Sequence, residues 1–205
     1  IMQRFTKSCF TKFLKLKSFK LKYLSIAIIL GFAARYPIAL ISDKLLYLFP
    51  IPKMFDDLSI LNTRLGQINI FYALLITSIL PSVFEEIAFR GVFLSVMEKK
   101  YSKAGLVLMT GLMFGGMHLN VFTLFETSVL GVLLGLITIY SGSIFPAMIM
   151  HFINNAVTIV LMKLTINGSI NKDVWFLTSN NFAYIMTIVT VISVIFIIYK
   201  REDKN

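Results

Sequence analysis

Long apolar segments, interrupted by short polar stretches, most constrain what this chain can fold into. A helix rises about 1.5 Å per residue, so about 20 residues cross a hydrocarbon core of about 30 Å. Candidate spans are predicted at Tyr23–Ile41, Ile68–Met97, Ala104–Met117, Val121–Tyr140, Ile144–Met162 and Phe182–Tyr199. Ala104–Met117 is short, and Ile68–Met97 exceeds the core, so that it must tilt, kink at Pro81 or protrude. The predicted fold is therefore all-α, a polytopic membrane helix bundle with about six transmembrane helices.

The composition indicates the same class of protein. Of the 205 residues, 57% are hydrophobic and 15% are charged, whereas soluble domains are about 45–50% apolar and about 25% charged. We expect a basic amphipathic segment at 1–22 and a single bundle at 23–205, with no second domain. The net charge of +10 does not indicate nucleic-acid binding, because the positive residues cluster at the ends and in one loop. A lone Cys9 excludes an internal disulfide and a cysteine-based metal site.

The first 22 residues interleave basic and apolar side chains. Arg4 and the lysines of this segment alternate with phenylalanine and leucine, a pattern typical of a segment that lies on an anionic lipid surface. A signal peptide is the alternative interpretation. The apolar run that follows is long for such a peptide and contains Arg35. We therefore expect an uncleaved first span, with anionic lipids as partners of the N-terminal segment.

Basic residues also predict the orientation. Further clusters are Lys99, Lys100 and Lys103 in one loop and Lys200, Arg201 and Lys204 after the last span. With six spans these clusters and the N-terminal segment fall on one side, which the positive-inside rule makes cytoplasmic. The loops at 42–67 and 163–181 are then outside, with Trp175 as an interface anchor, and a re-entrant segment near Leu45–Pro52 stays open. Abundant isoleucine, lysine and asparagine favour a low-GC bacterium, and so a bacterial plasma membrane.

Two adjacent carboxylates and an arginine interrupt the segment Ile68–Met97. Glu86 and Arg90 are four residues apart and share a helix face, so they can form an ion pair. Glu85 is rotated by about 100° from Glu86 and points into a different space. It can reach solvent at a helix end, or it can line a wet cavity, because an ionisable side chain at membrane depth must be paired or hydrated.

The two histidines of the chain also lie in apolar, helix-like sequence. His151 and Asn155 share a helix face. Counted from the cytoplasmic ends, Glu85 and His118 lie at similar depths of about 20 and 22 Å, whereas His151 lies at about 12 Å. One common site therefore requires the turn at 141–143 to be recessed inside the protein.

Three motifs in chain order resemble those of the CPBP intramembrane proteases, the CAAX-processing and bacteriocin-processing (Abi) family. They are Glu85-Glu86-x-x-x-Arg90, Phe114-x-x-x-His118 and His151-x-x-x-Asn155. The context is similar too, with Pro81 before the first motif, Gly91 after its arginine, and Gly142-Ser143-Ile144-Phe145-Pro146 before the third. The resemblance covers about residues 70–160 and includes both histidines.

The resemblance implies hydrolysis of a peptide bond within the bilayer, in a peptide or membrane-protein substrate. The family's important polar residues correspond here to Glu85, His118, His151 and Asn155. Glu86 is counted among the catalytic candidates, with Arg90 as its structural ion-pair partner. In this scheme Glu85 is the general base on a water, and His118 shares that water or protonates the leaving amine. His151 and Asn155 donate hydrogen bonds to the developing oxyanion.

A metal-dependent alternative stays open at this stage. Glu85, His118 and His151 are a recognised zinc ligand set with an open fourth position, so zinc or another divalent metal is a candidate cofactor. The absence of a His-Glu-x-x-His helix favours glutamate-activated water instead. Two other classes compete: a transporter or proton relay, which uses buried Glu and His chains, and a non-catalytic bacteriocin-immunity membrane protein with these residues as a packing cluster.

Two charged residues outside the motifs also lie in predicted spans. Arg35 and Glu126 are predicted to form an intramembrane ion pair, with a substrate carboxylate as the alternative partner of Arg35. A prenylated CAAX tail is the substrate that the eukaryotic branch of the family implies. The bacterial composition favours a leader peptide, a bacteriocin or a self-immunity role.

Overall fold

The computed structural model describes residues 7–50, 67–119, 121–168 and 180–199. These residues are helical apart from the connecting turns, with no strand among them, which confirms the predicted all-α class. The helices are α1 (Lys7–Phe13), α2 (Leu21–Ala33), α3 (Arg35–Leu48), α4 (Ile70–Met97), α5 (Lys103–Met117), α6 (Val121–Ser141), α7 (Phe145–Ile166) and α8 (Asn180–Tyr199). Helices α2 and α3 follow each other through Ala34 and act as one apolar span.

Five described helices are long and apolar enough to cross a membrane: Leu21–Leu45, Ile70–Met97, Thr123–Ser141, Phe145–Ile166 and Asn181–Tyr199. The remaining predicted span, the third in chain order, corresponds to α5. Its 15 residues rise about 22 Å, which is less than a hydrocarbon core of about 30 Å. Helix α3 continues to Leu48, where a re-entrant segment was the alternative. Arg4, Trp175, the basic cluster after Tyr199, and positions 51–66 and 169–179 of the predicted outer loops lie outside the described residues.

Helix α4, which carries the two carboxylates, contains two wide π-helical turns at Leu75–Ile79 and Ile87–Phe93. Its sequence predicts a tilt or a kink at Pro81, because proline has no backbone N–H and crowds the preceding turn. The first wide turn accommodates the proline: the N–H of Leu80 bonds to the carbonyl of Leu75, five residues back. Such π turns within α-helices are frequent at functional sites.

Helices α5 and α6 pack with their backbones nearly in contact, through a row of glycines. A Cβ atom on Gly131 would lie 2.9 Å from the Cα of Gly111, and one on Gly115 would lie 2.8 Å from the carbonyl oxygen of Leu124. Small residues permit this approach between membrane helices, where van der Waals packing provides much of the attraction. The glycines therefore set the distance between α6 and the helix that ends beside His118.

The core lies where α2, α5, α6 and α7 meet. Its most completely buried members are Ala27, Leu30, Ala34, Phe114, Leu134, Ile137, Ala147 and Met150. Helix α8 packs against α2 and α3 and leaves much of its other face exposed, as expected for a surface that contacts lipid.

Part of the basic N-terminal segment packs against the end of α4. The Leu14 side chain is buried, and it lies so close to Gly91 that an added Cβ would be 3.2 Å from its Cδ2 atom. Ser95 Oγ donates a hydrogen bond of 2.7 Å to the carbonyl of Phe13. At Phe13 and Leu14 the segment is thus packed against the bundle.

The same segment covers the turn that precedes α7. Ser143 Oγ donates to the carbonyl of Lys17 at 2.7 Å, and the N–H of Ile144 donates to the carbonyl of Lys15 at 3.2 Å. Both Ser143 and Ile144 are fully buried. The end of the turn is therefore covered by the N-terminal segment, whereas Gly142 is exposed. The turn at 141–143 is thus recessed only at Ser143, and His151 nevertheless lines the same cavity as the other motif residues.

The glycine contact between α5 and α6 is testable. We expect Gly131→Ala to lower the free energy of unfolding by about 1–3 kcal/mol, because the new methyl group meets backbone atoms that cannot move aside independently. The measurement is thermal unfolding of the protein in detergent.

Gly116→Ala is the matched control, since Gly116 lies in α5 with nothing within 4 Å of its added Cβ. Here alanine's higher helix propensity should leave stability unchanged or raise it by up to about 1 kcal/mol. Equal stability of the two variants would show that the helices do not depend on the close contact.

Candidate active site

A cavity of about 440 Å³ opens among α3, α4, α5, α6 and α7. Glu85, His118, His151 and Asn155 all contribute to its lining. The structure therefore brings together residues that the sequence places on three different helices. Glu86, the other catalytic candidate, lies behind the lining with its partner Arg90, and neither side chain has any exposed surface.

Glu86 is the centre of a buried polar cluster. Arg90 Nη1 donates to Glu86 Oε1 at 2.9 Å, as the four-residue spacing predicts. The same carboxylate oxygen lies 3.0 Å from His151 Nδ1, and Arg90 Nη2 donates to the carbonyl of Gly131 at 2.8 Å. The cluster joins α4 to α6 and α7. The contact between Glu86 and His151, which are 65 residues apart, is one that sequence reasoning missed.

The ring of Phe114 packs between the charged cluster and both histidines. Its centroid lies 5.2 Å from that of His118 and 5.5 Å from that of His151, both with edge-on geometry. The guanidinium carbon of Arg90 lies 4.7 Å from the same centroid, within cation–π range. Phe114 and His118 are four residues apart, and their contact is the one that this helical spacing allows. Because both imidazoles touch one ring, they lie within about 11 Å of each other.

Hydrogen bonds assign the tautomers of the two histidines. His118 Nδ1 lies 2.8 Å from the carbonyl oxygen of Phe114, which only accepts, so Nδ1 carries the hydrogen and Nε2 of the neutral ring has the lone pair. His151 Nδ1 likewise donates to the carboxylate of Glu86. In both rings the hydrogen bond of Nδ1 fixes the orientation of the imidazole, and Nε2 is available to exchange a proton.

Glu85 faces the cavity with a quarter of its side-chain surface exposed. Its Oε2 atom lies 3.9 Å from His151 Nε2. That separation is too long for a direct hydrogen bond and is one that a single water can bridge. Two neighbouring carboxylates on α4 thus occupy different environments, as the helical rotation between them predicts.

Asn155 is held against the wide turn of α4. Its Nδ2 atom donates to the carbonyl of Thr77 at 3.0 Å, and its Oδ1 accepts from Asn154 Nδ2 at 3.2 Å. Thr77 precedes Pro81 by four residues, so its carbonyl has no α-helical N–H partner. The side-chain amide of Asn155 supplies the hydrogen bond that this carbonyl lacks within its own helix. Sequence reasoning missed Thr77. The position of a residue four before a proline could have identified it, because such a carbonyl needs a hydrogen-bond donor from outside its own helix.

The three residues predicted as alternative metal ligands, Glu85, His118 and His151, are not arranged as a metal site. Among the described residues, no three His, Cys, Asp or Glu side chains are grouped so that they could hold a metal ion. Glu85, His118 and His151 share the cavity, but their donor atoms do not converge on one point. As they are arranged, these residues therefore do not fit zinc or another divalent metal.

The predicted ion pair between Arg35 and Glu126 is wrong as a direct contact. Both residues line the cavity and their charges are near enough to interact. However, Arg35 Nη1 donates to Thr158 Oγ1 at 2.6 Å and to the carbonyl of Asn154 at 3.4 Å. Its hydrogen bonds go to α7 because Thr158 and Asn154 lie directly against the first span, which the sequence does not reveal.

Residues 67–157 match the sequence model of a family described as Type II CAAX prenyl endopeptidase Rce1-like. No curated protein and no solved structure shows a significant match to the chain. The matched segment includes the buried cluster, both histidines and Asn155. The chain therefore carries a domain of the Rce1-like CAAX prenyl endopeptidase family, whose members are intramembrane proteases, and the resemblance to CPBP proteins is confirmed.

The buried cluster yields a stability prediction. Glu86→Leu leaves the charge of Arg90 buried without its partner, so we expect a loss of about 3–5 kcal/mol in the free energy of unfolding. Thermal unfolding in detergent measures it.

The double variant Glu86→Leu with Arg90→Met is the control, because replacing a buried pair by apolar residues is often neutral. It should recover most of the stability yet remain impaired in turnover, since His151 loses the acceptor that orients it. Full turnover in the double variant would contradict a positioning role for Glu86.

Proposed function

We propose that the Rce1-like domain hydrolyses a peptide bond inside the membrane, with a water molecule activated by Glu85. The observation that supports this mechanism is the shared cavity, in which a partly exposed carboxylate faces two imidazoles whose Nδ1 atoms are already engaged. A general base needs an acceptor within reach of the water it activates and an orientation fixed in advance. Glu85 and the two Nε2 atoms provide both.

In the proposed reaction the water oxygen forms a bond to the carbonyl carbon of the substrate while its proton passes to Glu85. The tetrahedral intermediate then collapses, the C–N bond breaks, and the proton is delivered to the leaving amine. His118 can accept the second hydrogen of the water through Nε2, or relay the proton to the amine. The products are a carboxylate, which carries the water oxygen, and an ammonium, which carries both water protons, so atoms and charge balance and Glu85 returns to its starting form.

His151 and Asn155 are proposed to stabilise the developing oxyanion. Asn155 uses one N–H of its amide on Thr77, and the same nitrogen carries a second N–H that can donate to substrate. His151 is oriented by Glu86 through Nδ1, and its Nε2 atom lies 3.9 Å from Glu85 Oε2. In the imidazolium form, which carries hydrogens on both nitrogens, Nε2 donates to the oxyanion. Donors held in this way cost no reorganisation during the reaction.

Glu86 and Arg90 act through other residues in this scheme. Glu86 fixes the ring of His151, and Arg90 neutralises the charge of Glu86 and ties the pair to α6. This is the logic by which a buried carboxylate orients a catalytic imidazole in a triad. Both residues are therefore proposed as positioning residues, with Glu85 as the group that touches the water.

The substrate is proposed to be a peptide or membrane protein that enters the cavity from within the bilayer. The composition of the chain favours a bacterial plasma membrane, and with it the processing of a leader peptide or bacteriocin, or self-immunity. Anionic lipids are proposed to contact the lysines of the N-terminal segment, part of which packs beside the end of α4. An ion-flux measurement in liposomes would detect the competing transport function.

The central test of the mechanism is Glu85→Gln. The substitution keeps shape and hydrogen bonding but removes the proton acceptor, so kcat should fall by about 10²-fold or more while substrate binding survives. Cleavage of a labelled peptide by the protein in detergent measures it. Glu126→Gln is the control, because it makes the same substitution elsewhere in the cavity, and this variant should keep its turnover. The unfolding temperature of each variant is measured together with its rate.

Metal removal separates the two hydrolytic schemes in the same assay. If Glu85 activates the water without a metal, extensively chelated protein keeps its turnover. Loss of turnover on chelation with recovery on added zinc would overturn the scheme, and so would normal turnover in a folded Glu85→Gln variant.

The orientation is a proposal with its own test. The Lys15 side chain pairs with Glu98 at 2.5 Å, so the N-terminal segment and the basic loop at 98–103 lie at one end of the bundle. The positive-inside rule makes this end cytoplasmic. A reporter fused after Asn205 should read out as cytoplasmic, and an extracellular readout would contradict both the orientation and an even number of spans.

A further inference from the structure

A second cavity, of about 220 Å³, lies at the end of the bundle that carries the lysine-rich segments. The N-terminal segment, the end of α4, the start of α5 and the end of α6 contribute to its lining. Lys103, one of the lining residues, precedes His118 by fifteen residues, which corresponds to about 22 Å of helix. The two cavities share no lining residue, so this one is separate from the candidate active site.

The polar lining of this cavity contains donors that are not engaged. Lys15 pairs with Glu98 at 2.5 Å, so these two charges neutralise each other. Within the described ranges, neither Lys103 Nζ nor the hydroxyl group of Tyr101 has a partner. Two lysines against one glutamate leave the cavity with one positive charge. Its polar groups therefore suit an anion.

The backbone of Lys15 indicates that its side chain has a role. Its φ of 54° lies in the left-handed region. The N–H of Leu16 bonds to the carbonyl of Thr11 at 2.9 Å, and that of Lys15 bonds to the carbonyl of Lys12 at 3.2 Å. This Schellman pattern ends α1, and glycine is the usual residue at its left-handed position. A residue other than glycine costs about 1–3 kcal/mol there, and here it brings an ammonium group to the cavity.

The surroundings of the cavity favour an amphiphilic anion over a soluble one. Leu94 and Leu106 line it beside the lysines, so an occupant meets apolar side chains and cations together. Pockets for drug-sized ligands are about 300–1,000 Å³, so this smaller cavity suits a headgroup. Clustered lysines attract an anionic lipid leaflet. The same two segments carry further exposed lysines: Lys12, Lys17, Lys20, Lys99 and Lys100.

We propose that this second cavity, the headgroup cavity, binds the phosphate of an anionic phospholipid. Lys103 and Tyr101 donate to the phosphate oxygens, and Lys15 adds a second positive charge. Hydrogen bonds from ammonium groups to phosphate are charge-assisted and stronger than neutral ones. The glycerol part of the lipid lies against the leucine side chains. This assignment goes beyond a general attraction of the N-terminal lysines to lipid, because it names one cavity and its donors.

A lipid in the headgroup cavity also holds the N-terminal segment on the two helices that carry the site. Lys15 pairs with Glu98 just after the end of α4, and its carbonyl accepts from the N–H of Ile144 just before α7. His151 follows Ile144 by seven residues, or about 10.5 Å of helix, and its ring is oriented by Glu86 of α4. The bound lipid therefore favours the productive contact between α4 and α7. This second step rests on the proposed peptidase function, whereas the lipid site itself does not.

Binding is tested with phosphatidylglycerol that carries a fluorescent label on one acyl chain, by anisotropy on the full chain in a neutral detergent. Lys103→Gln should weaken binding by about 10-fold, the range for a hydrogen bond to a charged group. Lys99→Gln is the matched control, because it removes the same charge from the same loop at an exposed position outside the cavity lining. It should bind the lipid about as tightly as the unsubstituted protein.

Lys15→Gly separates lipid binding from folding. Glycine relieves the left-handed backbone, and the partly exposed pair with Glu98 contributes little to stability. The unfolding temperature should therefore stay equal or rise, while the affinity for the labelled lipid falls. Unchanged lipid affinity in this variant would contradict the role of Lys15 in the cavity.

The effect on the active site is tested by cleavage of a labelled peptide in vesicles of phosphatidylcholine with and without phosphatidylglycerol. Coupling between two sites is typically about 5- to 150-fold, so the unsubstituted protein and Lys99→Gln should turn over about 5-fold faster or more with the anionic lipid. Lys103→Gln should have the same turnover in both kinds of vesicle.

Equal weakening of lipid binding by Lys103→Gln and Lys99→Gln would reduce the effect to general surface charge and overturn the site. Inorganic phosphate that displaces the labelled lipid as effectively as unlabelled phosphatidylglycerol would overturn the lipid as occupant. Turnover that ignores phosphatidylglycerol, although binding depends on Lys103, would overturn the effect on the active site. Lack of cleavage in both vesicles, with lipid binding that depends on Lys103, would refute the peptidase function and leave the headgroup cavity standing.

Discussion

The buried contact of Arg90, Glu86 and His151 is the interaction on which the rest of the site depends. Removing two opposite charges from water costs several kcal/mol per ion, and the pair is tolerated because its members meet at 2.9 Å. The carboxylate then accepts from His151, and the arginine reaches the backbone of α6. A single neutralised charge pair thereby fixes the relative positions of three helices and the orientation of one imidazole.

This cluster is possible because of the glycine contact beside it. Gly131, whose carbonyl accepts from Arg90, has no Cβ, and an added one would lie 2.9 Å from the Cα of Gly111 and 3.0 Å from the Cβ of Phe114. A larger residue would push α6 away from α5 and withdraw the acceptor. The same approach brings Phe114 against Arg90 and both histidines. Packing and electrostatics in this site therefore depend on the same backbone distance.

Local spacing explains which parts of the site were predictable. The Glu86–Arg90 pair and the Phe114–His118 contact follow from residues four apart on a helix, and both are present. The contact between Glu86 and His151 depends on how α4 meets α7, which no local pattern encodes. The direct Arg35–Glu126 pair was wrong for the same reason, because the nearest partners of Arg35 lie on α7. The all-α class was predictable because the length of the apolar segments decides it. The sequence also shows that the third predicted span is short, and α5 is correspondingly shorter than a full span.

A division between paired and unpaired charges connects these observations with function. Glu86 and Arg90 neutralise each other with no exposed side-chain surface, and they hold the helices. Glu85 and Arg35 both line the cavity. Among the described residues, Glu85 forms no salt bridge with a lysine or arginine, and Arg35 forms none with a carboxylate. Adjacent carboxylates can serve such different ends because helical rotation sends them into separate spaces. An ionisable group in an apolar segment is costly unless it is paired or hydrated, and for Glu85 the proposed partner is the water that it activates.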